Sequence, residues 1–171
     1  MMRPSDPAAG PATAGWVLTL AGTYIVPGFW RTYYGGWAGR ITPLAARAAL
    51  KDLQTPHTFF TQLENSSRRE WWKLVPQDSL IASEVNPADG SKGHSYCLSD
   101  SGRSYIVYTE NTRATDLSFN GPHDLTYRVT RFDPRTAQRT LLTSSVNGGT
   151  AVRLLSPERK DWVFEGKRGR L

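Results

Sequence analysis

The sequence predicts a mainly β protein: an antiparallel β-sandwich of about eight strands preceded by a short helical segment. Three observations carry that prediction. After Pro76, short apolar or alternating runs recur about every ten residues, with turn residues between them and no helical window. Among these runs, "LTYRVTRF" alternates cleanly, with Leu125, Tyr127 and Val129 on one face and Thr126, Arg128 and Thr130 on the other. Before Pro76 the spacing is helical instead. No internal repeat is visible.

Taken in order, residues 1–13, "MMRPSDPAAGPAT", are rich in proline and alanine and lack apolar periodicity, as expected of a disordered leader. Residues 14–75 form the helical part. A helix is expected over 14–21, with Trp16, Val17 and Leu20 on one face and Gly22 stopping it. "TYIV" reads as a short strand cut off by Pro27, and the glycine-rich "YYGGWAG" follows as a loop. Thr42 and Pro43 suit the cap and first position of a further helix carrying Leu44, Arg47 and Ala48. From about Pro56 to Leu63 another helix places Phe59, Phe60 and Leu63 together, and "RREWWKLVP" closes this part. Residues 76–171 are then the sandwich. Its strands are expected in "SLIASEV", "SYCLS", "RSYIVYT", "TDLSF", "LTYRVTRF", "QRTLLTS", "TAVRLL" and "DWVFEG". In "FDPRTAQ" Asp133 leads a tight turn and Pro134 fixes its φ.

Composition excludes several classes. With 171 residues, 39% hydrophobic and 21% charged, the chain can bury a core and is not a disordered sequence. The net charge of +6 and pI near 9.7 permit an anionic partner, but "GKRGRL" supplies much of the excess. The single cysteine, Cys97, rules out an intrachain disulfide and a cysteine-rich zinc site, and its apolar setting suits a structural thiol. His57, His94 and His123 lack the spacing of metal ligands, so neither metal nor cofactor is expected. The longest apolar run, "WVLTLAGTYIV", falls short of the ~20 residues of a membrane span. It also lacks the flanks of a secretory signal, so no export address is expected in the chain.

Catalytic residues are not expected. Glycoside cleavage needs two carboxylates facing one bond. Asp100, Asp116, Asp124 and Asp133 instead fall in turns or at strand ends, where hydrogen bonding to the turn explains them. No serine occupies a nucleophile elbow, and no glycine-rich phosphate loop precedes a helix. The aromatic residues are more informative. Trp30, Arg31, Tyr33, Tyr34 and Trp37 surround a glycine-rich loop, suited to stacking on sugar rings, to stacking on nucleic-acid bases, or to packing. Trp71 and Trp72, adjacent and near Phe59 and Phe60, are expected to pack one domain on another.

"REWWKLVPQDSLI" begins a longer pattern. Followed by "YCLSDSGRSYIVY", "TDLSF", "YRVTRFDPRTAQ" and "DWVFEG", it resembles the C-terminal module of the apiosidase-like bacterial glycoside hydrolases, a module labelled collagen-binding. The resemblance covers residues 68–166. Less sharply, "GWVLTLAGTYIVPGFWRTYYGG" is similar to the last helix and strand of the (β/α)8 barrel that precedes the module in that family. This implies that residues 14–75 are a barrel-end remnant and that Trp30, Arg31, Tyr33 and Tyr34 border a sugar cleft. It also implies that Phe59, Phe60, Trp71 and Trp72 pack the module against the barrel. The family's catalytic acids lie on barrel strands that these residues do not include. The resemblance therefore implies an accessory, non-catalytic module whose partners are a glycan or the catalytic barrel, with secreted or periplasmic localisation. A membrane or a nucleic acid is not expected as a partner. The chain is expected to be a C-terminal fragment, a truncated gene product, or a stand-alone module retaining a barrel remnant. Two rival functions stay open: a partial hydrolase whose carboxylates come from elsewhere, and a basic module binding an anionic polymer.

Overall fold

The computed structural model describes residues 11–21, 54–63, 71–85, 90, 93–100 and 102–169. Two helices come first, α1 (Pro11–Leu20) and α2 (residues 54–63). Seven strands follow: β1 (Val75–Pro76), β2 (Ile81–Ser83), β3 (His94–Ser99), β4 (Ser104–Ser118), β5 (Thr126–Phe132), β6 (Arg139–Asn147) and β7 (Ala151–Arg168). Every pairing is antiparallel, in the order β1-β3-β4-β7-β5-β6, with β2 on β4. The mainly β, antiparallel architecture expected from the sequence is present, behind a short helical segment.

One difference from the expected elements explains how the sheet makes a core. "RSYIVYT" and "TDLSF" are not separate strands but the two halves of β4, and "TAVRLL" and "DWVFEG" are the two halves of β7. Tyr105 lies near the start of β4 and Phe119 just past its end, yet their ring centroids are 4.7 Å apart. A straight strand would hold them roughly 45 Å apart at ~3.3 Å per residue. β4 therefore folds back on itself. The bend sits at Asn111, whose φ of 48° is left-handed, where the register with β7 shifts on both sides of Thr112. β7 turns opposite it, its ladder with β4 skipping from Leu155 to Lys160 across Pro157. Pro157 has no N–H for a ladder bond, so it belongs in that gap. Asn111 and Pro157 look like turn signals, but here they bend strands that never break their path.

The fold-back creates two layers. The larger contains β1, β3, the first half of β4, the second half of β7, β5 and β6. The smaller contains β2, the second half of β4 and the first half of β7. Between them lie Cys97, Tyr105, Val107, Leu117, Phe119, Tyr127, Val129, Leu154 and Phe164, all buried. Gly166 is required here, because a Cβ would stand 2.9 Å from the Phe119 ring and 3.3 Å from Tyr105 Cβ. On the other face of the larger layer, Leu98, Ile106, Tyr108, Phe132 and Val163 meet Trp16, Val17 and Leu20 of α1 and Phe59, Phe60 and Leu63 of α2. The alternation of β4 and β7 thus serves two cores at once. The buried faces of both helices are those their sequences present. Helix α1 begins at Pro11, inside the stretch expected to be a leader, since proline suits the first helical turn. The expected strand at "TYIV" and the helix around Leu44 lie outside the described residues.

Candidate functional site

Trp30, Arg31, Tyr33 and Tyr34 lie outside the described residues. The other group, Phe59, Phe60, Trp71 and Trp72, forms a connected aromatic seam. Phe59 and Phe60 are neighbours on α2, about 100° apart around the helix, so they reach different partners. Phe59 sits on Phe132 (4.9 Å between centroids) and against the Trp16 edge (5.2 Å). Phe60 touches Trp16 (5.7 Å) and Trp71 (4.7 Å), and Trp71 meets Trp72 edge-on at 6.2 Å. Beneath them Trp16 stacks on Tyr108 at 5.9 Å and 9°. Phe59 and Phe60 are fully buried by the chain's own sheet and α1, whereas Trp72 is 43% exposed and Val75 beside it 50%. The seam therefore runs from the middle of the sheet to a water-facing indole.

Polar groups pin the seam. Tyr108 donates its hydroxyl to Asp161 Oδ2 at 2.7 Å. Arg139 of β6 donates to Glu165 Oε2 at 2.8 Å and lies over the rings of Phe59 (4.9 Å) and Phe132 (5.2 Å). Glu165 is buried while Arg139 keeps 32% of its side chain exposed, so the pair contributes little net stability, but removing Arg139 would strand a buried carboxylate. Its role here is geometric: it ties the outermost strand to the helical layer.

A second aromatic contact escaped the sequence reading. The turn after β5 carries Arg135, whose guanidinium lies 4.6 Å from the Trp162 ring centroid, while Arg131 lies 4.9 Å from it. Arg135 also bonds Asp133 (2.8 Å) and reaches Glu158 (3.5 Å). "FDPRTA" and "DWVFEG" thus meet in space through an indole and two guanidiniums. The signal was the pair of arginines flanking the turn, but a single sequence does not say which strand they will face.

Asp100, Asp116 and Asp133 are held by structural partners, and Asp124 is exposed. Asp100 accepts from the Ser104 N–H at 2.5 Å, and Arg153 faces Asp116 at 3.4 Å. Burial alone would push the Asp133 carboxyl up, but hydrogen bonds from the Arg135 side chain and backbone, with its charge, hold it below the usual range. A lowered pKa is the opposite of what a general acid needs. Burial, with the Asp78 charge adding to it, pushes the Cys97 thiol up to about 12, so it has no nucleophilic character near neutral pH. Among the described residues no cluster of histidine, cysteine, aspartate or glutamate could hold a metal ion. No helix among them is long and apolar enough to cross a membrane.

The fold is found in part of a known protein. The chain superposes on a solved structure of a glycoside hydrolase with a TM-score of 0.55, at 14% identity, covering 84% of this chain and 30% of that one. The chain shares its β-rich fold with part of that protein and spans about 30% of its length. At that identity the likeness concerns fold alone. A crystal structure of Fe(II)-HppE with an alternative substrate aligns at a TM-score of only 0.16 and 13% identity, over 94% of this chain and 83% of that one, and carries no argument. No protein-family profile and no curated protein matches the sequence.

Proposed function

We propose that the chain is a non-catalytic C-terminal accessory module of a glycoside hydrolase-like protein. One observation carries the reading: most of this chain matches a part of a glycoside hydrolase that is only 30% of that protein. The partnered carboxylates and the lowered Asp133 pKa support a supporting rather than a cleaving role. In this reading Phe59, Phe60 and Trp71 fix the helical layer to the sheet, and exposed Trp72 and Val75 meet the catalytic barrel. Residues 14–75 are then the end of that barrel. Trp30, Arg31, Tyr33 and Tyr34 form the rim of its sugar cleft, where flat rings pack on sugar faces and a guanidinium donates to hydroxyls. The protein acts outside the cytoplasm, and collagen is the second ligand class to try.

The test has two parts. The purified chain, incubated with plant-wall oligosaccharides, should release no sugar; release of sugar would replace this proposal with that of a self-sufficient hydrolase. In affinity gels containing neutral glycan, Trp30→Ala/Tyr34→Ala should lose the retardation shown by the unaltered chain. Equal mobility of the two would remove the rim role and leave the loop a packing element.

A further inference from the structure

Among the described residues the two layers end in outer edges at β1, β6, β2 and the first half of β7. The first three are short or irregular. β1 is two residues long and ends in Pro76, β2 has three residues, and the register of β6 against β5 shifts twice. Shortness, proline and bulges each discourage a further strand from adding. The β7 edge is different, because Ala151 to Leu155 pair with Ser118 to Ala114 of β4 without a shift. Glu84 donates its N–H to the Ala114 carbonyl at 3.1 Å, so Ala114 turns its backbone groups toward β2. Leu155, directly opposite Ala114, therefore turns its N–H and carbonyl away from β4, and alternation does the same for Arg153 and Ala151. The Leu155 side chain beside this row is 56% exposed.

The row is complementary to itself. Turned end for end, Ala151, Arg153 and Leu155 meet the same residues in reverse order, and each opposed pair can exchange two backbone bonds. The central rung then sets arginine against arginine. Each Arg153 lies 3.4 Å from Asp116 and 3.7 Å from Glu84 of its own chain, which offsets that repulsion. One contact stands in the way. Arg131 reaches across from β5 in the larger layer and donates from Nη1 to the Leu155 carbonyl at 3.2 Å. The Trp162 ring steadies its guanidinium at 4.9 Å, and among the described residues it makes no ion pair. Its charge is thus set on an outward-facing backbone oxygen of the regular edge. We infer that Arg131 guards this edge against strand addition by a second copy of the chain. Phe59, Phe60, Trp71 and Trp72 take no part, so the inference stands apart from the accessory role proposed above.

The test is sedimentation equilibrium of the full chain over the micromolar range, joined to native hydrogen exchange. Arg131→Ala should self-associate about tenfold more tightly than the unaltered chain, the worth of one hydrogen bond from a charged donor. Arg131→Met, which keeps an apolar stem over Trp162 but has no donor, should do the same if the alanine variant fails to fold. Arg135→Ala removes the other guanidinium from that indole and nothing from the edge, so it should match the unaltered chain. Ala151→Pro deletes an N–H that faces away from β4, and adding it to either Arg131 variant should reverse the gain. In the unaltered chain the Arg153 and Leu155 amides should exchange freely at every concentration. Arg131 variants that associate no more than the unaltered chain, an Arg135→Ala chain that associates as they do, or concentration-dependent protection of those two amides in the unaltered chain would each overturn the inference.

Discussion

Replacing Phe59 by alanine tests whether the helices and the sheet form one cooperative structure. Phe59 is 0% exposed and its ring meets Trp16, Phe60 and Phe132 at centroid distances of 4.9–5.3 Å, with the Arg139 guanidinium at 4.9 Å. A Phe→Ala change in such a site costs about 3–5 kcal/mol from lost transfer and the cavity left behind. Each well-oriented aromatic pair adds about 0.5–1.5 kcal/mol beyond area, so the upper end of that range is expected. For a domain of this size, about 4 kcal/mol corresponds to a melting shift of roughly 8–16 °C. Trp72→Ala removes a larger ring but from a site 43% exposed, and should cost less than about 1.5 kcal/mol. The assay is urea unfolding followed by tryptophan fluorescence and by far-ultraviolet circular dichroism. Both probes should give one coincident transition, moved to lower urea by Phe59→Ala and little by Trp72→Ala. If Phe59→Ala leaves the sheet's transition in place, or splits the curve in two, the helical layer is not part of the sheet's cooperative unit and the packing argument fails.

Two further outcomes follow from single residues. Cys97, buried between the layers with its thiol pushed up to about 12, should resist maleimide at pH 8 and react promptly in denaturant; mass spectrometry showing labelling of the native chain would contradict its burial. Asp133 has a folded-state pKa below its unfolded value, so its contribution is present above the usual carboxylate pKa of ~3.9 and is lost as pH falls through the folded value. Asp133→Asn should therefore be less stable than the unaltered chain near neutral pH, with the gap narrowing below about pH 4. A gap that widens on acidification would reverse the sign assigned to the Arg135 contact.

Where local chemistry decides the outcome, the sequence was readable. Alternation in β5 put Tyr127 and Val129 into the core between the layers, with Leu125 packed against them, and left Arg128 outside. The turn at Asp133 is closed by the Arg135 N–H donating to Asp133 Oδ1 at 2.8 Å, the bond that an aspartate at that position is suited to accept. Legibility ended where register in a neighbouring strand decides. Asn111 and Pro157 mark a turn in most contexts, and only the ladder between β4 and β7 makes them bends within continuous strands. The guanidinium contacts on Trp162 and the bond from Arg131 to the Leu155 carbonyl were hidden for the same reason, since each joins segments that are distant along the chain. Helix faces were read correctly for Trp16, Phe59 and Phe60, but not what would cover them, because a helical stripe specifies that it must be buried and not against what.

The position of β7 has a consequence for synthesis. It lies between β4 and β5 in the larger layer and supplies a strand to the smaller one. Of the seven strands it is the last to leave the ribosome. Until it emerges, the β3–β4 and β5–β6 hairpins share no ladder, and each exposes a long edge that only β7 can pair. Once present, β7 can begin at Ser118 and Ala151, the rung that closes the least chain, and zip outward to Ser104 and Lys167. Neither layer can commit before β7 emerges, so the strands made ahead of it wait with their edges open. The protein's yield in a cell should therefore depend on shielding by holdase chaperones more than its final stability would suggest.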